Sequence, residues 1–252
     1  MNRTLLSLSA LAALGSLPTA SHADLSFNIG GVSDYRYRGI SQTRLDPALQ
    51  AGMDFGEGGF YLGTWASQIK WVKDAYGEAS LEVDLYGGYK GDIIKDSLTY
   101  DVGLLQYVYP SAVTTAWSTA YKNPNTTEIY GALTYGPVTT KLTYALTNLF
   151  GNYDYSAKKE SKGSYYLDVS ATFEVSGITL VPHVGYQKVT NIANASYTDY
   201  SFTVSKDFNG LSFSLAFVGT NANEKFYVPG AAANSNEFLG KNAAVFGIKY
   251  TF

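Results

Sequence analysis

A chain of 252 residues with no cysteine and a formal net charge of −3 excludes a disulfide framework, a thiolate metal site and a lipidated cysteine. The same near-balanced charge argues against a nucleic-acid partner or a polybasic membrane anchor. Aromatic residues make up 15% of the chain, with 22 tyrosines, and glycine numbers 25. Beyond the first two dozen residues, no run approaches the ~18 apolar residues of a membrane helix.

The first element is an export signal. Arg3 supplies the positive start, Leu5 to Leu17 a short apolar stretch, and Ser21-His22-Ala23 the small residues of a cleavage site. Residues 1–23 are therefore expected to be cleaved, and residues 24–252 to form one folded unit. The location expected is the outer membrane of a Gram-negative-type bacterium, reached through the periplasm.

From there the chain reads as strands to its end. Twelve segments are predicted, at 25–39, 47–56, 59–69, 79–91, 97–109, 125–136, 138–150, 163–176, 178–189, 197–208, 210–220 and 242–252. Most reach the ~9–11 residues that a tilted strand needs to cross a bilayer. Gly56-Glu-Gly-Gly59, Gly136-Pro-Val138, Ser176-Gly-Ile178 and Asp207-Phe-Asn-Gly210 are tight turns, and Gly91 to Ser97 is a little longer. The other connections, 40–46, 70–78, 110–124, 151–162, 190–196 and 221–241, are long. Long and short links alternate throughout, as in an up-and-down barrel with turns at one rim and loops at the other.

Side-chain parity agrees. Leu81, Val83 and Leu85 alternate with Glu82, Asp84 and Tyr86. Leu167, Val169, Ala171, Phe173 and Val175 alternate with Asp168, Ser170, Thr172 and Glu174. Every strand carries an apolar face and no helix layer is available to cover it, so lipid is the cover. Two aromatic girdles are expected. Tyr35, Tyr37, Trp65, Tyr107, Tyr109, Phe150, Tyr165 and Tyr200 lie towards the loops, and Phe27, Phe55, Tyr135, Phe208, Tyr250 and Phe252 towards the turns. Pro182 removes a ladder hydrogen bond inside its strand, so a bulge or bend is expected there. Residues 110–124 are apolar enough to hide a further strand. The final strand places Ala244, Phe246, Ile248, Tyr250 and Phe252 on one face, as the closing strand of a barrel does. The fold expected is all-β, an antiparallel up-and-down transmembrane β-barrel of twelve strands.

The chemistry lies on the other face. Ser33 to Gln42 is the densest polar stretch, and parity along a strand 25–39 sends Asp34, Arg36 and Arg38 inward. The further inward candidates are Glu82, Asp84, Asp101, Glu128, Lys141, Asp168, Glu174, His183 and Lys249. Inward charges require a water-filled lumen or mutual pairing. The first outcome is a passive channel for small hydrophilic solutes, with the charged lumen setting selectivity. The second is a packed, non-conducting barrel whose loops bind a surface partner or that supports the envelope. A lipid hydrolase built on His183 is the third, but no serine carries a nucleophile signature. No catalytic residue, cofactor or metal ligand is assigned. The last loop, 221–241, is either a constriction or a mobile external segment.

Ser33-Asp-Tyr-Arg-Tyr-Arg-Gly-Ile-Ser-Gln42, Pro47-Ala-Leu-Gln50 and Gly59-Phe-Tyr-Leu-Gly-Thr-Trp-Ala-Ser67 resemble the opening of the TorF-type porin family, also called Gcw_chp. Glu82-Val-Asp-Leu-Tyr-Gly-Gly-Tyr89 and Tyr100 to Pro110 continue the resemblance, although Arg36 stands where an apolar or aromatic residue is expected. The resemblance implies an outer-membrane location and a channel, and supplies no solute. Gly247-x-x-Tyr250-x-Phe252 resembles the C-terminal signal read by the outer-membrane assembly machinery, with Val245 departing from the polar residue expected at its start. The partners implied are membrane lipid, small solutes and that machinery.

Overall fold

The computed structural model describes residues 23–252. The predicted export signal therefore lies outside the described residues except for Ala23. Twelve strands form the wall. They are β1 (Asp24–Val32), β2 (Ala48–Glu57), β3 (Phe60–Gln68), β4 (Leu81–Ile94), β5 (Leu98–Val108) and β6 (Thr126–Tyr135). After these come β7 (Val138–Ala145), β8 in two pieces (Tyr165–Ala171 and Phe173–Val175), β9 (Ile178–Lys188), β10 (Tyr197–Phe208), β11 (Leu211–Thr220) and β12 (Ala243–Thr251).

Each strand pairs antiparallel with the next, and β12 pairs back onto β1. At that seam Asn28 stands opposite Thr251 and Val32 opposite Gly247. Phe27 and Phe252 exchange backbone hydrogen bonds of 2.9 and 3.0 Å, and their rings stack 5.9 Å apart. The closed cylinder leaves no edge strand, which is the condition for a sheet to stand in lipid.

The short links follow from residues that accept positive φ. Gly58-Gly59 (φ +57°, +92°) joins β2 to β3 and Asn209-Gly210 (φ +57°, +91°) joins β10 to β11. Two consecutive residues at positive φ make the turn whose twist matches paired strands. The short turns that join neighbouring wall strands lie at one rim, the turn rim. The long connections gather at the loop rim.

Pro182 does not produce the predicted bulge. The register between β8 and β9 is unbroken, with Ser170 opposite His183 and Phe173 opposite Leu180. The missing N–H is accommodated by a break in β8 at Thr172, whose own N–H turns to Pro137 O at 2.9 Å on the other side. The register shift falls instead between Asp92 and Ile94. Residues 110–124 contain no strand. They wrap around Trp117, fully buried, whose indole N–H donates to Lys122 O at 2.7 Å.

The two faces of the wall differ in kind. Outward positions include Leu25, Ile29, Leu49, Phe60, Leu62, Leu85, Leu133, Leu142, Phe217 and Phe246, all exposed. Along the strands, outward charge is confined to Glu57, Lys188 and Lys206, each within a few residues of a strand end. Transfer of such a surface to lipid releases the hydrophobic penalty of exposing it to water. The turn-side aromatics Phe27, Phe55, Tyr135, Phe208, Tyr250 and Phe252 are exposed at the rim, as an interfacial girdle requires.

Candidate functional site

β1 ends at Val32, seven residues before the predicted strand end. The chain then leaves the wall and folds into the lumen as a small hairpin. Arg36-Tyr37 pairs with Ile40-Ser41, and Arg38-Gly39 (φ +46°, +81°) forms the two-residue turn. Asp34 and Arg36 are thus not on an inward strand face. They form the stem of the hairpin, paired with each other at 2.5 Å. Asp34 also accepts from the Ser41 hydroxyl at 2.5 Å, and Arg36 donates to Leu239 O at 2.9 Å and Lys241 O at 3.1 Å, tying the hairpin to the last loop.

The hairpin crosses the lumen. It departs between β1 and β2, yet Arg38 at its tip reaches the opposite wall. Arg38 pairs with Glu128 on β6 at 2.8 Å and donates to Gln187 on β9 at 2.5 Å. Its guanidinium lies over Tyr37, 4.7 Å from the ring centre, and over Tyr166 of β8 at 4.4 Å. Tyr35 donates to Glu82 at 2.5 Å and Tyr109 donates to the other oxygen of Glu82 at 2.6 Å. The hydroxyls of Tyr37 and Tyr107 meet at 2.8 Å, and Tyr107 donates to Glu128 at 3.2 Å. Burial pushes the Tyr35 and Tyr37 phenols well above their ordinary range, so both stay protonated and able to donate.

Tyr35 and Tyr37 therefore face inside, not the lipid. Tyr107, Tyr109 and Phe150 are likewise interior, so the loop-side girdle expected from the sequence shrinks to residues such as Tyr165 and Tyr200. Phe150 sits at the centre of this interior cluster, 5.3 Å from the Tyr37 ring and 5.2 Å from Tyr107. It holds a left-handed backbone, φ +50°, which costs a bulky residue about 1–3 kcal/mol.

At the level of the hairpin the lumen is filled: Glu82 is 2% exposed, Tyr107 1% and Glu128 0%. Asp84, on the same face of β4, is also buried and neither of its oxygens has a hydrogen-bond partner. Towards the turn rim the interior opens. Asp54, Lys90, Asp101, Lys141, Asp207 and Lys249 are partly exposed there. Tyr61 donates to Asp101 at 2.5 Å and Lys141 lies 3.8 Å over the Tyr130 ring. Glu174 stands exposed near the turn rim and accepts from Thr179 at 2.6 Å.

His183 lies between two carboxylates. Its Nε2 is 2.7 Å from Asp168 and its Nδ1 is 3.6 Å from Asp199, with the Tyr166 hydroxyl 3.1 Å from Nε2. Two serines flank it in the ladder, Ser170 on β8 and Ser201 on β10, the latter 3.5 Å from Nδ1. Both ring nitrogens thus face acidic groups, and the imidazole on β9 links Asp168 of β8 to Asp199 of β10.

The sequence reading missed Asp54, Lys90, Asp199 and Asp207 among the interior charges. Parity would have found Asp199, since Tyr197, Asp199 and Ser201 alternate with the outward Tyr200 and Phe202. It also missed the tyrosines that lie flat across interior glycines. A Cβ on Gly63 would meet the Tyr86 ring at 2.4 Å, and one on Gly185 the Tyr166 hydroxyl oxygen at 2.0 Å.

The sequence profile of the Gcw_chp family, described as a bacterial protein of unknown function, matches residues 17–252. No curated protein matches the chain. Among solved structures, the NanC porin aligns with a TM-score of 0.54 at 12% identity, over 91% of this chain and 99% of its own. The KdgM porin, solved in complex with disordered oligogalacturonate, aligns with a TM-score of 0.51 at 9% identity, over 92% of this chain and 99% of its own. These likenesses show a porin-type outer-membrane barrel fold.

Proposed function

The chain belongs to the Gcw_chp family, and we propose that it is a passive outer-membrane channel for small hydrophilic solutes. The loop rim faces outward from the cell and the turn rim faces the periplasm. Export by residues 1–23 and insertion through the closing strand complete the route to the membrane. The observation that carries this reading is the contrast of faces. The outside is apolar from rim to rim, while the inside carries charge along its height, from Glu82, Asp84 and Glu128 to Asp101, Lys141 and Lys249.

The hairpin 36–41 is the constriction, and the acidic and basic groups below it set selectivity by their field. The porin-type fold of NanC and KdgM supports the reading, and KdgM was solved in complex with disordered oligogalacturonate. His183, the residue on which a hydrolase would have to be built, is instead engaged by Asp168 and Asp199.

One observation favours a second reading. The hairpin level is so completely buried that a rigid barrel would be sealed. Swelling of proteoliposomes separates the two. In isotonic arabinose, vesicles holding the folded barrel should swell faster than empty ones. Swelling no faster than that of empty vesicles, in arabinose and in the smaller glycine alike, would leave the sealed barrel.

A further inference from the structure

The loop rim holds a cavity that the channel reading does not require. It measures about 180 Å³, room for about six waters at liquid density. Residues from all six long loops or their adjoining strand ends line it, and its floor is the hairpin itself, through Tyr37, Ile40 and Ser41. Trp71, Tyr121, Phe150, Tyr197 and Tyr227 supply aromatic walls.

The chemistry of the lining is selective. Not one charged side chain lines the cavity, although the lumen directly beneath is dense with them. A charged ligand entering it would lose hydration with no charged side chain in the lining to replace it, and Arg38 beneath is already paired with Glu128. Aromatic faces attract the apolar C–H face of a ring, and polar groups at the wall meet hydroxyls. Gln42 and Asn152 stand among the aromatics. The indole N–H of Trp71 is buried without a hydrogen-bond partner. That donor is closed to solvent, so it is a local cost of the wall. Phe150, held at φ +50°, is a second strained feature of the same wall.

We infer that this vestibule binds an uncharged cyclic polyol, a neutral sugar ring, with its flat face on the aromatic side chains and its hydroxyls on the Gln42 and Asn152 amides. The inference rests on the outward orientation of the loop rim in the channel reading, but binding itself does not require conduction. The site captures the solute directly above the Arg38 constriction.

The test is tryptophan fluorescence of the refolded barrel in detergent micelles, titrated with one ring at three charges. Methyl β-D-glucopyranoside is neutral, glucuronate anionic and glucosamine cationic. The expected result is a saturable change with the neutral probe and at least tenfold weaker binding of both charged ones. Phe150→Ala and Tyr197→Ala, both in the aromatic lining, should each weaken the neutral probe about tenfold. Having two variants keeps the test decisive if one fails to fold, and heat-modifiable migration on gels reports folding. Equal binding of all three probes, no saturable change in the folded wild type, or full binding by both variants would overturn the inference. Arabinose permeation in vesicles, measured on the same preparation, stands or falls separately and reports the channel reading.

Discussion

Arg38 holds the hairpin where it is. It is the cation paired with Glu128 in the filled part of the lumen, and both side chains are nearly or wholly buried. A buried pair gains little over an apolar substitute, but breaking it strands the remaining charge. Arg38→Gln should therefore lower stability by about 3–5 kcal/mol, measured by denaturant unfolding in lipid vesicles. A change near zero would mean that water reaches Glu128 and that the hairpin level is already open. Lys141 and Lys249 are in another regime, because both are partly exposed to the wider half of the lumen. Lys141→Gln with Lys249→Gln removes two positive charges from the wall. The reversal potential in a salt gradient should move towards cation selectivity, with stability nearly unchanged. An unmoved reversal potential would show that permeating ions do not sense this wall.

The elements were legible where their causes are local. Alternation and turn residues are read within a few positions, and the predicted segments from 47–56 onward match β2 to β12 closely, with overruns such as residue 150 against 145. The first strand was overread for an instructive reason. Tyr35 and Tyr37 alternate with Asp34 and Arg36 as a strand would, so parity continues past Val32 without a break. The signal against it was Arg38-Gly39, a turn pair, which the alternation masked. The partners that draw the hairpin inward are 90 and 149 residues away, at Glu128 and Gln187, beyond any local pattern. Gly39 tests this element. A Cβ there would meet Thr220 Cγ2 at 2.4 Å and Asp199 Cβ at 2.8 Å, on a backbone at φ +81°. Gly39→Ala should unseat the hairpin tip and raise conductance while the barrel wall stays closed. Unchanged conductance together with unchanged proteolysis of the loop would argue that the tip is not packed against β10 and β11.

At the scale of the whole molecule, the wall and its contents are separable. The seam between β1 and β12, the apolar exterior and the tight turns define a cylinder that does not depend on the hairpin. Twelve strands enclose more space than eight strands' side chains can fill, so this lumen is closed by a loop and not by the wall itself. That division makes the account testable in one measurement: single-channel conductance in planar bilayers of the wild type and of a variant with residues 36–41 replaced by a short glycine linker, both shown to be folded barrels. The account predicts small steps from the wild type and clearly larger steps from the variant. Silence from the folded variant, or steps identical to those of the wild type, would contradict it.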